Sequence, residues 1–249
     1  MKKSPIVLAI SLMASGSVFA NTFVNGGFET GDLSGWTGGG GSWYGSPPAP
    51  VPAATYNGGT PNNTIMTAGT DPYTGLSTVY SGNYSARLND NYNNYSVSTL
   101  RQTVTGYTAP AIYFAWNAVL LGSHGLTNSD YFSLTLTDDT KGTTLVDRAY
   151  SSAGPIGAGT TGVTWTDYGG VHSAGWVVEN IDTSALANDT FTLTMLASDC
   201  PYGGHWGYAY LDGFGAAPPK PGAVPEPATL ALLGLGLLGL GAARRRKAA

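Results

Sequence analysis

Tyr131-Phe132-Ser133-Leu134-Thr135-Leu136-Thr137 alternates apolar and hydroxyl side chains, and Thr143-Thr144-Leu145-Val146-Asp147-Arg148-Ala149 follows after Asp138-Asp139-Thr140-Lys141-Gly142. A period of two sends one face of a strand to a core and leaves the other wet. The intervening Asp, Thr, Lys and Gly are turn formers, so the pair reads as a β-hairpin. Phe191-Thr192-Leu193-Thr194-Met195 repeats the alternation. Working outward, further strands are expected at Thr22–Phe28, Tyr84–Asn89, Val97–Val104, Ala111–Leu120, Thr161–Tyr168, Trp176–Ile181 and Gly207–Phe214. No amphipathic helix of useful length interrupts them. About nine short strands separated by turn signals predict an all-β chain, an antiparallel β-sandwich rather than a parallel α/β fold.

Gly38–Pro72, with Gly38-Gly39-Gly40-Gly41 and Pro47-Pro48-Ala49-Pro50, shows no strand pattern and reads as a long loop. The folded domain is placed at 21–217. Its opening, Asn25-Gly26-Gly27-Phe28-Glu29-Thr30-Gly31-Asp32-Leu33-Ser34-Gly35-Trp36, resembles the N-terminal signature of galactose-binding-like jelly rolls, several carbohydrate-binding module families among them. Tyr80–Leu88 and the closing strand Tyr208-Ala209-Tyr210-Leu211-Asp212-Gly213-Phe214 fit the same pattern. The resemblance implies a jelly roll in which Phe28 and Trp36 are core residues. First and last strands of that fold lie side by side, so it also implies that Glu29 and Asp212 converge. A structural calcium is the implied cofactor there, with carbonyls of the Ser81–Asn83 loop nearby, since calcium takes six to eight oxygens. The alternative is that Glu29 caps a turn and Asp212 faces solvent.

Both termini carry signals. Lys2 and Lys3, apolar Ile6–Met13 and Val18-Phe19-Ala20 form a signal peptide at 1–20, cleaved after Ala20 to leave Asn21. At the other end, a linker at 218–227 ends in Val224-Pro225-Glu226-Pro227. An uncharged Leu/Ala/Gly segment at 228–243 follows, then a basic tail at 244–249 that opens with Arg244, Arg245, Arg246 and Lys247. Some 16 helical residues reach roughly 24 Å, short of a ~30 Å hydrocarbon core. A short transmembrane helix of that kind anchors weakly or transiently, with its cations held in the cytoplasm. The order Pro-Glu-Pro, apolar helix, basic stop resembles the PEP-CTERM sorting signal of Gram-negative bacteria. That resemblance implies processing near Pro225-Glu226-Pro227 by an exosortase, after signal peptidase has acted at the N-terminus. It also implies transit through the inner membrane to the cell surface or extracellular matrix. An ordinary C-terminal tail anchor is the alternative.

Removing these signals leaves roughly 205 residues, one large all-β domain. It also leaves five Lys and Arg against all fifteen Asp and Glu, a charge near −10. Nucleic acid is excluded as a partner, because phosphate binding needs clustered cations. Cys200 is the single cysteine, so no intramolecular disulfide forms. No zinc-type Cys/His spacing is present, and His124, His172 and His205 stand apart in loop contexts. The chain has neither a G-x-S-x-G elbow nor H-E-x-x-H, and adjacent Asp138-Asp139 would face opposite sides of a strand. No catalytic residue is assigned.

Aromatic rings stack on the C–H faces of sugars, and Asn, Asp and Gln bind hydroxyls. Trp43 and Tyr44 in the glycine-rich loop, and Trp206 between glycines, are the candidate glycan ligands, with packing of the core or loop as their alternative role. Trp116, Trp165 and Trp176 fall in strand patterns and read as core. The expected function is a non-enzymatic surface or matrix protein associating with extracellular polysaccharide. A purely structural or adhesive domain is the second reading, and a glycoside hydrolase or esterase the third.

Overall fold

A computed structural model describes residues 23–45, 52–122, 124–155 and 162–219. The expected signal peptide with its Ala20–Asn21 junction, the Val224–Pro227 motif, the apolar 228–243 segment and Arg244–Lys247 lie outside the described residues. Among the described residues no helix is long and apolar enough to cross a membrane.

The strands are β1 (Thr37–Ser42), β2 (Thr64–Thr67), β3 (Tyr84–Leu88), β4 (Ser96–Tyr107), β5 (Ala111–Leu121), β6 (Tyr131–Asp138), β7 (Thr143–Ser151), β8 (Gly154–Pro155), β9 (Thr166–Asp167), β10 (Val171–Ser173), β11 (Val177–Asp182), β12 (Asp189–Ser198) and β13 (Gly207–Gly215). One sheet runs β1-β4-β12-β6-β7-β8. The other runs β2-β3-β13-β5-β10-β9, with β11 pairing the first half of β5. Every pairing is antiparallel, and the two sheets form the sandwich that the alternation predicts. Leu193 lies opposite Leu136 and Met195 opposite Leu134, so the alternating faces of β12 and β6 are in step. Their apolar sides meet Phe114, Trp116 and Leu211 of the other sheet in the main core, where Trp116 stacks on Phe132 at 4.9 Å between ring centroids. In the hairpin, the Lys141 amide donates to Asp138 Oδ1 at 3.1 Å, closing the turn read from Asp138–Gly142.

Three expectations fail locally. Gly38–Gly41 is strand, not loop. Gly40 donates to the Gly58 carbonyl at 2.9 Å, and a Cβ on Gly39 or Gly40 would collide with the backbone of Tyr56 or Thr60. The glycines therefore let a second stretch of chain lie directly on the edge strand, which strand propensity cannot anticipate. β2 and a 3₁₀ turn at Ala53–Tyr56 also fall inside the expected loop. Second, Phe23–Phe28 forms turns, with Asn25 and Phe28 in the left-handed region at φ 52° and 57°. That geometry turns Phe28 inward to stack on Trp36 at 5.3 Å, and lets the Gly26 carbonyl accept from the Phe214 amide at 2.9 Å. Third, among the described residues of the stretch expected at 161–168 only Thr166–Asp167 is strand, and Trp165 and Trp176 flank strands half-buried rather than sitting within them.

Candidate functional site

Antiparallel register gathers the chemistry at two opposite ends. Ser198 pairs with both Val97 and Tyr131, and Gly207 pairs with Leu120. The loops around residues 43–45, 89–95, 124–130 and 199–206 therefore share one end. Asp212 pairs with Ala115 near the start of β5, and β3 begins at Tyr84, so the Tyr80–Asn83 loop lies toward the other end.

At that second end Glu29 and Asp212 line one pocket of about 390 Å³ with Ser81, Gly82 and Phe214. Asp212 is fully buried, not solvent-facing; its Oδ2 accepts the amides of Tyr80 at 2.9 Å and Ser81 at 2.8 Å. Exposed Glu29 accepts the amides of Asn83 at 3.0 Å and Tyr84 at 3.1 Å, and the Asn83 side chain at 3.1 Å. The Ser81–Asn83 loop thus turns amides toward the carboxylates where carbonyls were expected. Asp212 Oδ1 remains buried with no hydrogen-bond partner. Burial, with the charge of Glu29 adding to it, pushes the Asp212 carboxyl up to about 7 against those amide bonds. A buried, unpartnered carboxylate oxygen beside a second carboxylate suits a hard cation.

At the loop end the candidate aromatics divide. Trp43 is not presented to solvent. Following β1, it packs with Tyr56, Val97, Tyr131 and Leu196 over the outside of the six-stranded sheet, its indole N–H donating to the Asp199 carbonyl. Trp206 is buried too, stacked on Tyr208 at 5.3 Å in a layer with Val119, Val171 and Tyr210 over the seven-stranded sheet. The Ala53–Tyr56 turn packs on Trp43 and Tyr73 leans on Trp206, and such covering is invisible to a one-dimensional reading. Asp71 accepts the hydroxyls of two members of that second layer, Tyr208 and Tyr210.

Tyr44, by contrast, is 70% exposed and leans edge-on against Tyr95 at 4.7 Å. Tyr92 at 70%, Tyr202 at 58% and Tyr73 at 38% are the other exposed tyrosines. Tyr73 leans on Trp206 at 4.4 Å and its hydroxyl accepts from the Asn91 side chain at 2.9 Å. The Asn89–Asn94 stretch that carries Tyr92 is a fixed turn. Buried Asn89 donates to Asp199 Oδ1 at 3.0 Å and to the Gly207 carbonyl at 2.8 Å, while Asp199 Oδ2 accepts the amides of Asn94 and Ser96, each at 3.0 Å. Four tyrosine rings and a run of amides therefore share one rim.

The same end joins side chains that looked separate in sequence. His124 Nδ1 lies 3.0 Å from Cys200 Sγ, and the His124 and His205 ring centroids are 4.5 Å apart. His172 stays apart on β10. No spacing rule connects 124 with 200–205; only the β5–β13 and β6–β12 register does.

The PEP-CTERM protein-sorting motif matches residues 223–247, so the chain carries that export signal. No curated protein matches the chain. Among solved structures it is similar to a family-61 carbohydrate-binding module in complex with β-1,4-galactotriose (15% identity, 78% of this chain and 95% of that one, TM-score 0.41). It is also similar to a family-27 module from Caldicellulosiruptor saccharolyticus in complex with mannohexaose (12%, 77% and 94%, TM-score 0.37). A third is a family-28 module specific for non-crystalline cellulose (12%, 77% and 92%, TM-score 0.35).

Proposed function

We propose that this exported chain is a non-enzymatic surface or matrix protein of a Gram-negative cell, and that its sandwich binds extracellular polysaccharide through the loop-end tyrosine rim. Tyr44, Tyr73, Tyr92 and Tyr202, exposed beside the Asn89–Asn94 turn, carry the reading. Rings at that rim offer flat apolar faces for sugar C–H groups, and Asn91, Asn93 and Asn94 offer amides for hydroxyls. With four cations against fourteen acids at 21–217, the domain has little with which to hold an anionic polymer. Trp43 and Trp206 act beneath the rim, Trp43 next to Tyr44 in sequence and Trp206 against Tyr73 in space. Signal peptidase would free Asn21, and exosortase would cut near Glu226 after the 228–243 segment has engaged the inner membrane. Retention of the exported protein on the producing cell's own polysaccharide in affinity gels tests the binding. Loss of retardation when Tyr44 and Tyr92 are both replaced by Ala is expected, and unretarded native protein would favour the purely structural or adhesive reading.

The second element of the proposal is a calcium ion at Glu29 and Asp212. Asp212 Oδ1 would supply one oxygen, Glu29 another, and water or backbone carbonyls the rest. The ion would fix the opening turns to β13, as the contact of Gly26 with Phe214 already does.

A further inference from the structure

We propose that Cys200, His124 and His205 form a binding site for a divalent transition-metal ion of the zinc class, independent of the carboxylate pair and of glycan binding. One ligand atom from each of the three side chains lies within 4.8 Å of the others. A tetrahedral ion with metal–sulfur bonds of about 2.3 Å and metal–nitrogen bonds of about 2.0–2.1 Å holds its ligands roughly 3.3–3.6 Å apart. The His124–Cys200 pair, at 3.0 Å, is already slightly inside that spacing. Bringing the His205 ligand atom, within 4.8 Å of the other two, to that spacing would complete the set.

The surroundings suit ligation better than they suit a packing cysteine. Cys200 Sγ is buried and lies 3.3 Å from the Asn128 carbonyl, and the Tyr202 amide donates to it at 3.4 Å. His205 Nδ1 is buried with no hydrogen-bond partner. An orphaned ring nitrogen next to a thiol and a second imidazole is costly unless something accepts its lone pair or proton. Gly122, at φ +67°, stands where any Cβ would collide with the His205 ring, so the chain leaves room for that imidazole. Burial and the neighbouring His124 keep His205 below its ordinary value, which leaves it neutral and able to coordinate. Burial also holds the Cys200 thiol above its usual range; an arriving cation displaces that proton to solvent as the thiolate binds. Thiolate and imidazole together select borderline and soft ions over calcium or magnesium. Three protein ligands leave a fourth position for water or another donor.

Cobalt(II) gives the test a spectroscopic readout. The full-length chain, purified in detergent with a reductant and stripped of metal, is titrated with Co²⁺ and then Zn²⁺. One equivalent of Co²⁺ should produce a thiolate-to-cobalt charge-transfer band with intense four-coordinate ligand-field bands, all bleached by Zn²⁺. Cys200→Ser should abolish the charge-transfer band. His124→Ala removes an exposed side chain and should leave melting of the metal-free chain unchanged, yet weaken Co²⁺ binding beyond the roughly tenfold to hundredfold cost of losing a supporting group. Asp212→Asn should leave the titration unaltered. A native chain without the band, a band that survives Cys200→Ser, or unchanged affinity in His124→Ala overturns the proposal.

Discussion

At one end of the sandwich two carboxylates, Glu29 and Asp212, face a loop whose amides they accept. At the other, a thiol and two imidazoles face one another beside exposed tyrosines. The first end offers hard oxygen donors and the second softer sulfur and nitrogen, so the two ends differ in the cations they would prefer. The difference extends to their construction. At the carboxylate end Asp212 sits on the last strand, and Glu29 sits on the opening turns, tied to the Asn83–Tyr84 loop. The loop end is assembled from five connections, the one carrying Tyr73 included, held in place by buried side chains such as Asn89, Asp199 and Trp43. Its exposed rim is therefore only as well placed as the packing underneath it.

That dependence gives the largest expected effect. Trp43→Ala removes the indole from its packing with Tyr56, Val97, Tyr131 and Leu196 and should cost about 3–5 kcal/mol. At roughly 2–4 °C per kcal/mol for a domain of this size, the melting temperature falls by at least about 6 °C. Tyr44→Ala, one residue further on, removes an exposed ring and should stay within about 0.5 kcal/mol. Thermal melts of the pair sharpen the contrast between support and rim. Equal losses would break it.

Calcium addresses the opposite end. An ion held only by the folded chain stabilises it by about 2.7 kcal/mol at a hundredfold excess over Kd. The shift should vanish in Asp212→Asn and persist in Cys200→Ser. If calcium raises neither melting temperature nor resistance to denaturant in the native chain, Glu29 and Asp212 serve only to clamp the Tyr80–Tyr84 loop.

The third effect is one of slope. Asp130, at the loop end, is fully buried; its Oδ1 accepts from Ser152 and its Oδ2 has no partner. Burial raises its carboxyl well above the ordinary value, so the folded state binds this proton more tightly than the unfolded chain. The resulting stability is fully present below the unfolded carboxyl pKa of about 3.9 and is lost as pH rises through the folded value. In calcium-free buffer, Asp130→Asn should flatten this part of the pH dependence measured by denaturant unfolding. An unchanged slope would show that Asp130 is not the titrating group.

The two ends also differ in how far they can be read from sequence. Alternation in Tyr131–Thr137 and Phe191–Met195 gives the sandwich directly, because a period of two has one interpretation when a face is buried. Glu29 and Asp212 are legible because they flank recognisable opening and closing segments. The Gly38–Gly41 strand is not, since its glycines answer to the backbone of Tyr56–Thr60, far from any local pattern. Nor is the His124–Cys200–His205 cluster, whose members meet only through strand register. Trp43 misleads for a related reason: a tryptophan among glycines looks unsupported until the chain folds over it.

The smallest effect bears most directly on function. A ring stacked on a sugar is expected to contribute roughly 1 kcal/mol beyond its area burial, by the measure of aromatic pairs. A few such contacts give a monovalent Kd near about 1 mM, or about −4 kcal/mol. Losing Tyr44 alone should then weaken a short oligosaccharide by only about fivefold, a change at the edge of detection. On a polymer, where many copies engage one chain, the same loss is compounded across contacts. Tyr44→Ala should therefore barely alter oligosaccharide titrations while clearly reducing retardation in a polysaccharide gel, with Tyr92→Ala behaving alike. Because both residues are exposed, their melting temperatures serve as the control that the fold is intact. Retardation that is unchanged in both variants, with unchanged melting, would move the binding face away from the loop end altogether.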